Sequence, residues 1–126
     1  MRPESLLEVA QLTLRGDSFD DCLANFLDEF YAAPNVDALK QEPEWLAPAM
    51  GEPGQVRDAY LAATAEQLAC EYGLPIPAWV NSGERKLHRP WFASPLAALR
   101  TVLLLESPAA FRSRNIFISE NALSRA

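Results

Sequence analysis

The 126-residue sequence contains few of the residues on which catalytic and metal sites depend: one histidine, two cysteines and five glycines. One histidine excludes most triads and zinc sites, which combine histidine with further bases or ligands. The glycines are scattered singly, which excludes a glycine-rich phosphate loop. Cys22 and Cys70 belong to no CxxC pair, and their apolar neighbours predict two buried thiols. We therefore expect no disulfide, no metal or other cofactor, and no enzymatic activity.

The sequence also lacks a hydrophobic run long enough to cross a membrane. No apolar segment follows the first four residues as it would in a secretory signal peptide. We therefore expect a cytoplasmic protein that does not contact a membrane. The length suits one domain with its own core, and the ten prolines predict short helices with sharp ends.

Negative charge dominates the sequence, but it is unevenly distributed. Residues 1–78 contain fourteen acidic and four basic side chains, a net charge of −10, whereas residues 79–126 contain three acidic and seven basic ones, a net charge of +4. The overall charge of −6 argues against a surface that follows a phosphate backbone throughout. Two interpretations remain open: the two parts face each other within one fold, or they form separate acidic and basic surfaces for different partners.

The segment 94–108 predicts one helix with both ends marked in the sequence. A capping serine and a proline open it, and Pro108 ends it. Between the prolines, leucine or valine fills six positions on several sides of the helix. Because a helix that is apolar nearly all round is usually buried, we expect residues 95–106 to form the central core helix. Truncation of Leu99 or Leu103 to alanine should then be costly.

Further helices are predicted by apolar periodicity and by capping and terminating residues. They cover residues 5–15, a stretch from a cap at Asp17 or Ser18 to Pro34, and residues 36–41, 55–72 and 120–125, with a short turn at 109–112. On the second of these helices an apolar stripe faces the core, formed by Phe19, Leu23, Phe26 and Phe30.

Two segments do not fit the helical pattern. Residues 42–54 are rich in proline and glycine, but they also contain Trp45 and Leu46. A disordered linker carries fewer large apolar groups, so this segment predicts a packed connection. Residues 115–118 are the best candidate for a strand, without a clear partner strand.

An acidic row lies opposite the apolar stripe of the second helix: Asp17, Asp21 and Asp28, with Asn25 beside them. Acidic residues near a helix N-terminus are favoured by the helix dipole, so a solvated face is the simplest interpretation. A docking surface for a basic protein partner is the functional alternative. A metal site would need further ligands from facing helices.

The second part of the chain contains basic residues close to aromatic ones. Such a cluster can bind single-stranded nucleic acid by charge and stacking. One short cluster by itself is weak evidence for a nucleic-acid-binding surface. Aromatic residues in such a loop also serve as packing anchors. The candidate contact residues in this part are Arg85, Arg89, Trp91, Arg112 and Arg114.

Three segments, residues 60–79, 89–92 and 106–118, are similar to a family of small uncharacterised bacterial proteins. Members of that family resemble companions of nucleotidyltransferase-like proteins in toxin–antitoxin-type operons. The resemblance implies partnership with such a protein and assigns no catalytic role to any residue. The acidic N-terminal part would suit a protein that covers a basic surface.

The sequence thus predicts an all-α single domain over residues 1–126, with about five or six helices around a central apolar helix. We expect a non-enzymatic protein-binding module, an antitoxin-like partner of a nucleotide- or nucleic-acid-handling protein with a basic surface. The alternative is a nucleic-acid-binding regulator that uses the basic segment 85–114. The oligomeric state stays open.

Overall fold

A computed structural model describes residues 2–94 and 96–125 of the chain. Its helices are α1 (Leu6–Leu14), α2 (Phe19–Ala32), α3 (Asp37–Lys40), α4 (Ala47–Met50), α5 (Glu52–Tyr72), α6 (Arg100–Glu106) and α7 (Ala109–Arg112), and its two strands are β1 (Trp91–Phe92) and β2 (Ile116–Phe117). The mostly helical single domain expected from the sequence is confirmed. Among the described residues, no helix is both long and apolar enough to cross a membrane.

The ends of the longer helices follow signals in the sequence. The Ser5 hydroxyl accepts the Glu8 N–H at the start of α1, and the Ser18 hydroxyl accepts the Asp21 N–H at the start of α2. Each bond satisfies one of the free N–H groups of a first turn. Gly73 ends α5 in the left-handed region at φ 65°, where a residue without Cβ is favoured.

The core is built around α5. Eight consecutive or closely spaced residues of its second half are almost fully buried: Ala59, Leu61, Ala62, Ala63, Thr64, Ala65, Leu68 and Ala69. Four other parts of the chain pack on it: α4, α7, β2 and the short 3-10 helix Ala78–Asn81. The apolar stripe of α2 is buried as predicted. Small side chains around α5 allow this close approach from several directions.

Gly54 shows how closely the chain approaches α5. A Cβ atom at this position would lie 2.5 Å from the Leu46 carbonyl oxygen and 2.8 Å from the Ala47 Cα. The backbone of α4 therefore occupies the space that any larger residue would need.

The expectation that residues 95–106 form the central core helix is wrong. A short 3-10 helix, Ala97–Leu99, leads into α6, which has seven residues. Leu103 is buried, but Leu99 is 41% exposed. The predicted opening of the helix at Pro95 lies outside the described residues. The segment packs on the domain by one side, while α5 takes the central position.

Three smaller predictions are also wrong. The segment 115–118 has a partner, because β2 pairs in parallel with β1 in the register Trp91–Ile116 and Phe92–Phe117. Residues 120–125 form turns and no helix. Cys22 is buried but Cys70 is exposed, and both are free thiols. The parallel pair escaped sequence analysis because its strands are short and far apart along the chain.

We predict that truncation of a core side chain is costly on α5. Truncation should be mild in residues 96–107, which contain the short 3-10 helix and α6 and are called the α6 segment below. Leu68→Ala should lower the free energy of unfolding by about 2–5 kcal/mol, since its side chain is fully buried. Leu99→Ala should cost less than about 1 kcal/mol because much of its side chain already contacts water. Urea unfolding followed by circular dichroism measures both, and equal losses would contradict this assignment of the core.

We also predict that Gly54→Ala is destabilising by about 1–3 kcal/mol, since the new methyl group meets backbone atoms that cannot rotate away. Gly83→Ala is the matched control. A Cβ at Gly83 meets nothing within 4 Å, so that variant should unfold at an unchanged or slightly higher urea concentration. A Gly54→Ala variant as stable as this control would show that α4 is free to move from α5.

Candidate functional site

The α6 segment presents an unusual exposed apolar surface. Its large aliphatic side chains have exposed fractions of 61% at Leu96, 41% at Leu99, 43% at Val102, 44% at Leu104 and 76% at Leu105. Scattered surface leucines are ordinary, but neighbouring ones form a patch of the kind that marks a protein contact. We refer to these five residues as the α6 patch.

An open cleft of about 750 Å³ lies between α2, the first turns of α5 and the C-terminal segment. Its apolar walls include Phe19, Leu23, Leu27, Val56, Tyr60, Trp91 and Ile118. Four charged side chains also line it: Asp20, Glu52, Arg57 and Arg125. The volume is typical of binding sites in proteins, and the lining combines apolar and charged side chains.

The charged groups of the cleft have different interaction partners. The Arg57 guanidinium lies 5.4 Å from the centre of the Phe19 ring and donates to the Met50 sulfur at 3.6 Å. Arg125 donates instead to the Asp28 carboxylate at 2.9 Å. Burial, with a smaller contribution from Asp20, raises the pKa of Tyr60 to about 12, so the tyrosine stays neutral at physiological pH.

The α6 patch and the cleft adjoin each other. Trp91 and Ala93 line the cleft, and the chain continues from Ala93 into the α6 segment. At the other end of α6, the Ser107 hydroxyl donates to the Ile118 carbonyl at 2.9 Å and accepts the Ile118 N–H at 2.7 Å. Ile118 is itself part of the cleft wall. The α6 segment is therefore adjacent to the wall of the cleft.

The predicted acidic row is partly exposed and partly paired. Asp17 and Asp21 are exposed. Asp28 is less exposed and binds Arg125, with Arg2 at 3.8 Å. The hydrogen bond from Arg125 lowers the pKa of Asp28. The negative charge of the row is thus free at its N-terminal end and balanced at Asp28.

The predicted basic contact residues divide into two groups. Arg89 and Arg112 are exposed, and Trp91 is half-buried. Arg85 and Arg114 are only 1% and 5% exposed, so these two guanidiniums lie inside the domain and not on a contact surface. Arg114 donates to Glu66 at 2.9 Å and to the Val80 carbonyl at 3.0 Å.

Charge pairing between the two parts of the chain explains this burial. Arg85, Arg114 and Arg125 come from the basic part, and they pair with Glu42, Glu66 and Asp28 of the acidic part. At these positions the two parts face each other within one fold, which was the first of the two interpretations of the charge pattern. The surface available for nucleic acid is correspondingly less basic than the sequence suggested.

Arg85 is the centre of a buried polar cluster. Its guanidinium lies 4.1 Å from the centre of the Trp45 ring and 4.9 Å from that of Trp79. It donates to the Pro43 carbonyl at 2.7 Å and to the Asp58 carbonyl at 3.3 Å. Its Nε atom is buried without a hydrogen-bond partner. Stacking between two indole rings suits the planar, weakly hydrated guanidinium.

Asp58 connects this cluster to α4. Its carboxylate accepts the Leu46 N–H at 2.7 Å and the Ala47 N–H at 3.1 Å, which are free donors at the start of a helix. Burial raises the pKa of Asp58, against the opposing effects of these bonds and of Arg85. Residues 42–54 are therefore a packed connection, as the sequence predicted.

In residues 2–94 and 96–125, no three histidine, cysteine, aspartate or glutamate side chains are grouped as metal ligands. The polar groups around the cleft are two carboxylates, two guanidiniums and a tyrosine hydroxyl, which can bind charged or polar groups of another molecule.

Sequence analysis missed both parts of this site. The α6 patch was assigned to the core because an apolar helix is compatible with burial inside its own domain or against another chain. No local signal separates the two cases, since the proline that follows α6 also ended the predicted core helix. The cleft had no local signal either, because its walls come from four distant segments.

Searches for similar proteins matched the chain to no family model, no curated protein and no solved structure.

We predict that Arg85→Met lowers the free energy of unfolding by about 3–5 kcal/mol at pH 7, because it removes the buried guanidinium whose charge stabilises the buried Asp58 carboxylate. Without Arg85 the pKa of Asp58 should rise further. An acid with a raised folded-state pKa loses stability as pH increases above its unfolded value. The deficit relative to wild type should therefore be smaller near pH 4 than near pH 7.

Urea unfolding at several pH values measures this effect, with Arg112→Met as an exposed control. The control should show little change at any pH. A deficit for Arg85→Met that is independent of pH would show that Asp58 and Arg85 are not electrostatically coupled.

Proposed function

We propose that this protein is a non-enzymatic protein-binding module whose contact surface is the α6 patch. The observation that carries the proposal is the exposure of five large aliphatic side chains within ten residues, 96–105. Fully burying one such side chain contributes about 1.5–3 kcal/mol. Covering several of these side chains would therefore supply a large part of the free energy needed for specific binding of a partner.

The position of the patch also supports protein binding. Leu103 and Ser107 anchor the segment to the domain, since both are buried. The exposed side chains are thus presented on an ordered element, which lowers the entropic cost of binding a partner. In contrast, Arg85 and Arg114 are unavailable to the alternative, a nucleic-acid-binding regulator.

We also propose which kind of protein the partner is. The resemblance described above favours an antitoxin-like role beside a nucleotide- or nucleic-acid-handling protein. Asp17 and Asp21 remain exposed, and they would accelerate association with a partner that has a basic surface. The first candidate is the product of the neighbouring gene.

We predict that Leu105→Ser abolishes capture of the partner from an extract of the source cell by the tagged, immobilised protein. Leu105 is the most exposed member of the patch, and a hydroxyl group in its place removes apolar contact area. Quantitative mass spectrometry should show one protein, another gene product or an untagged copy of this chain, that is captured by wild type and lost with the variant.

Ile76→Ser is the matched control, since Ile76 is also a half-exposed aliphatic residue but lies outside the α6 segment. The control should retain the capture. If wild type and Leu105→Ser capture the same proteins in the same amounts, the α6 patch is not the contact surface.

A further inference from the structure

We propose that the α6 patch of one copy of this chain docks into the cleft of a second copy, and that the exchange is reciprocal, giving a two-fold symmetric dimer. This inference rests on the proposed function of the α6 patch as a contact surface, and it names a second copy, in place of the neighbouring gene product, as the chain that covers the patch. It accounts together for the exposed apolar helix and for the open apolar cleft beside it.

The two surfaces correspond in length. The wall that α2 contributes to the cleft extends from Phe19 to Leu27, which at 1.5 Å per residue is about 12 Å. The seven residues of α6 extend about 10 Å by the same geometry. A short helix laid in an apolar groove is a common mode of peptide recognition.

The charges of α6 and of the cleft are also complementary. An apolar centre on α6 is flanked by Arg100 at its start and Glu106 at its end. The cleft offers both complements: carboxylates at Asp20 and Glu52 and guanidiniums at Arg57 and Arg125. Asp20, Glu52 and Arg57 take part in none of the ion pairs among the described residues.

An apolar helix with one cation and one anion therefore meets a cleft that has both signs of charge around apolar walls. This match favours the second copy as the occupant of the cleft, because a uniformly basic occupant would meet Arg57 and a uniformly acidic one would meet Asp20 and Glu52.

Docking of α6 into the cleft of its own chain is opposed by the bonds that hold the helix. Leu103 is buried against the domain, and the two hydrogen bonds between Ser107 and Ile118 fix the end of α6 beside the cleft wall. A second copy has no such restriction. Because patch and cleft adjoin, both can take part in one continuous self-complementary surface, as a two-fold interface requires.

Sedimentation equilibrium of the purified full chain tests the proposal with a pair of opposite-charge variants. Wild type should approach twice its chain mass of 14.0 kDa as concentration rises. Leu105→Asp places a carboxylate on the patch, and Val56→Lys places an ammonium in the cleft. Each variant alone should raise the dissociation constant at least about tenfold, because a charge then enters an apolar contact without a partner.

Mixing the two variants should restore dimers. One contact then joins the introduced carboxylate to the introduced ammonium, and the other contact is unmodified on both sides. Ile76→Asp is the control and should associate like wild type. Circular dichroism verifies folding of each variant, and Ala24→Lys, on the opposite wall of the cleft, replaces Val56→Lys if that variant is unfolded.

Three results would overturn the proposal: a wild-type chain that is monomeric at every concentration, a dimer that tolerates Leu105→Asp, or one that is lost with Leu105→Asp but tolerates both cleft variants. The last result would indicate contact between two α6 helices. A monomeric chain that still captures another protein through Leu105 would leave the proposed function intact, whereas loss of both dimer and capture would contradict both.

Discussion

Burial of α5 on nearly every side is the constraint on which the rest of the structure depends. Residues 61–65, Leu68 and Ala69 are fully buried, so several elements must approach it at once. The side chains are small enough for backbones to come close, and at Gly54 the absence of a side chain lets α4 contact the helix directly. Positions of α2, α7 and β2 follow from this central helix.

The segment 42–54 contains α4 and the first turn of α5, and polar groups from other parts of the chain fix how it packs on the domain. Arg85 reaches it from a distant part of the sequence, stacks between two indole rings and donates to the Pro43 carbonyl. Asp58 supplies acceptors to the start of α4. Removing either charged group from water is unfavourable by itself, and the hydrogen bonds and ring contacts offset that cost. This cluster explains why a basic residue that resembled a surface contact is instead part of the core.

The exposed apolar side chains of the α6 patch lie beside a cleft that apolar and charged side chains line. A monomer would leave both in contact with water, at a cost that grows with apolar area. Association removes that cost, which is why binding is the function that this geometry favours. Asp17 and Asp21 are exposed and do not line the cleft, so they can influence the rate of approach of a charged partner without taking part in the contact.

Local patterns in the sequence determined much of the secondary structure. Three features depend on contacts within a few residues: the serine caps of α1 and α2, the Phe19–Phe30 stripe and the end of α5 at Gly73. Such contacts can be predicted from the local sequence alone. Tertiary structure alone decided which apolar helix became central, which arginines were buried and where the cleft formed. Those outcomes depend on distant segments that compete to cover the same surface. Hydrophobicity is not directional, so an apolar helix such as 96–105 is compatible with a core position or with a surface that binds another chain.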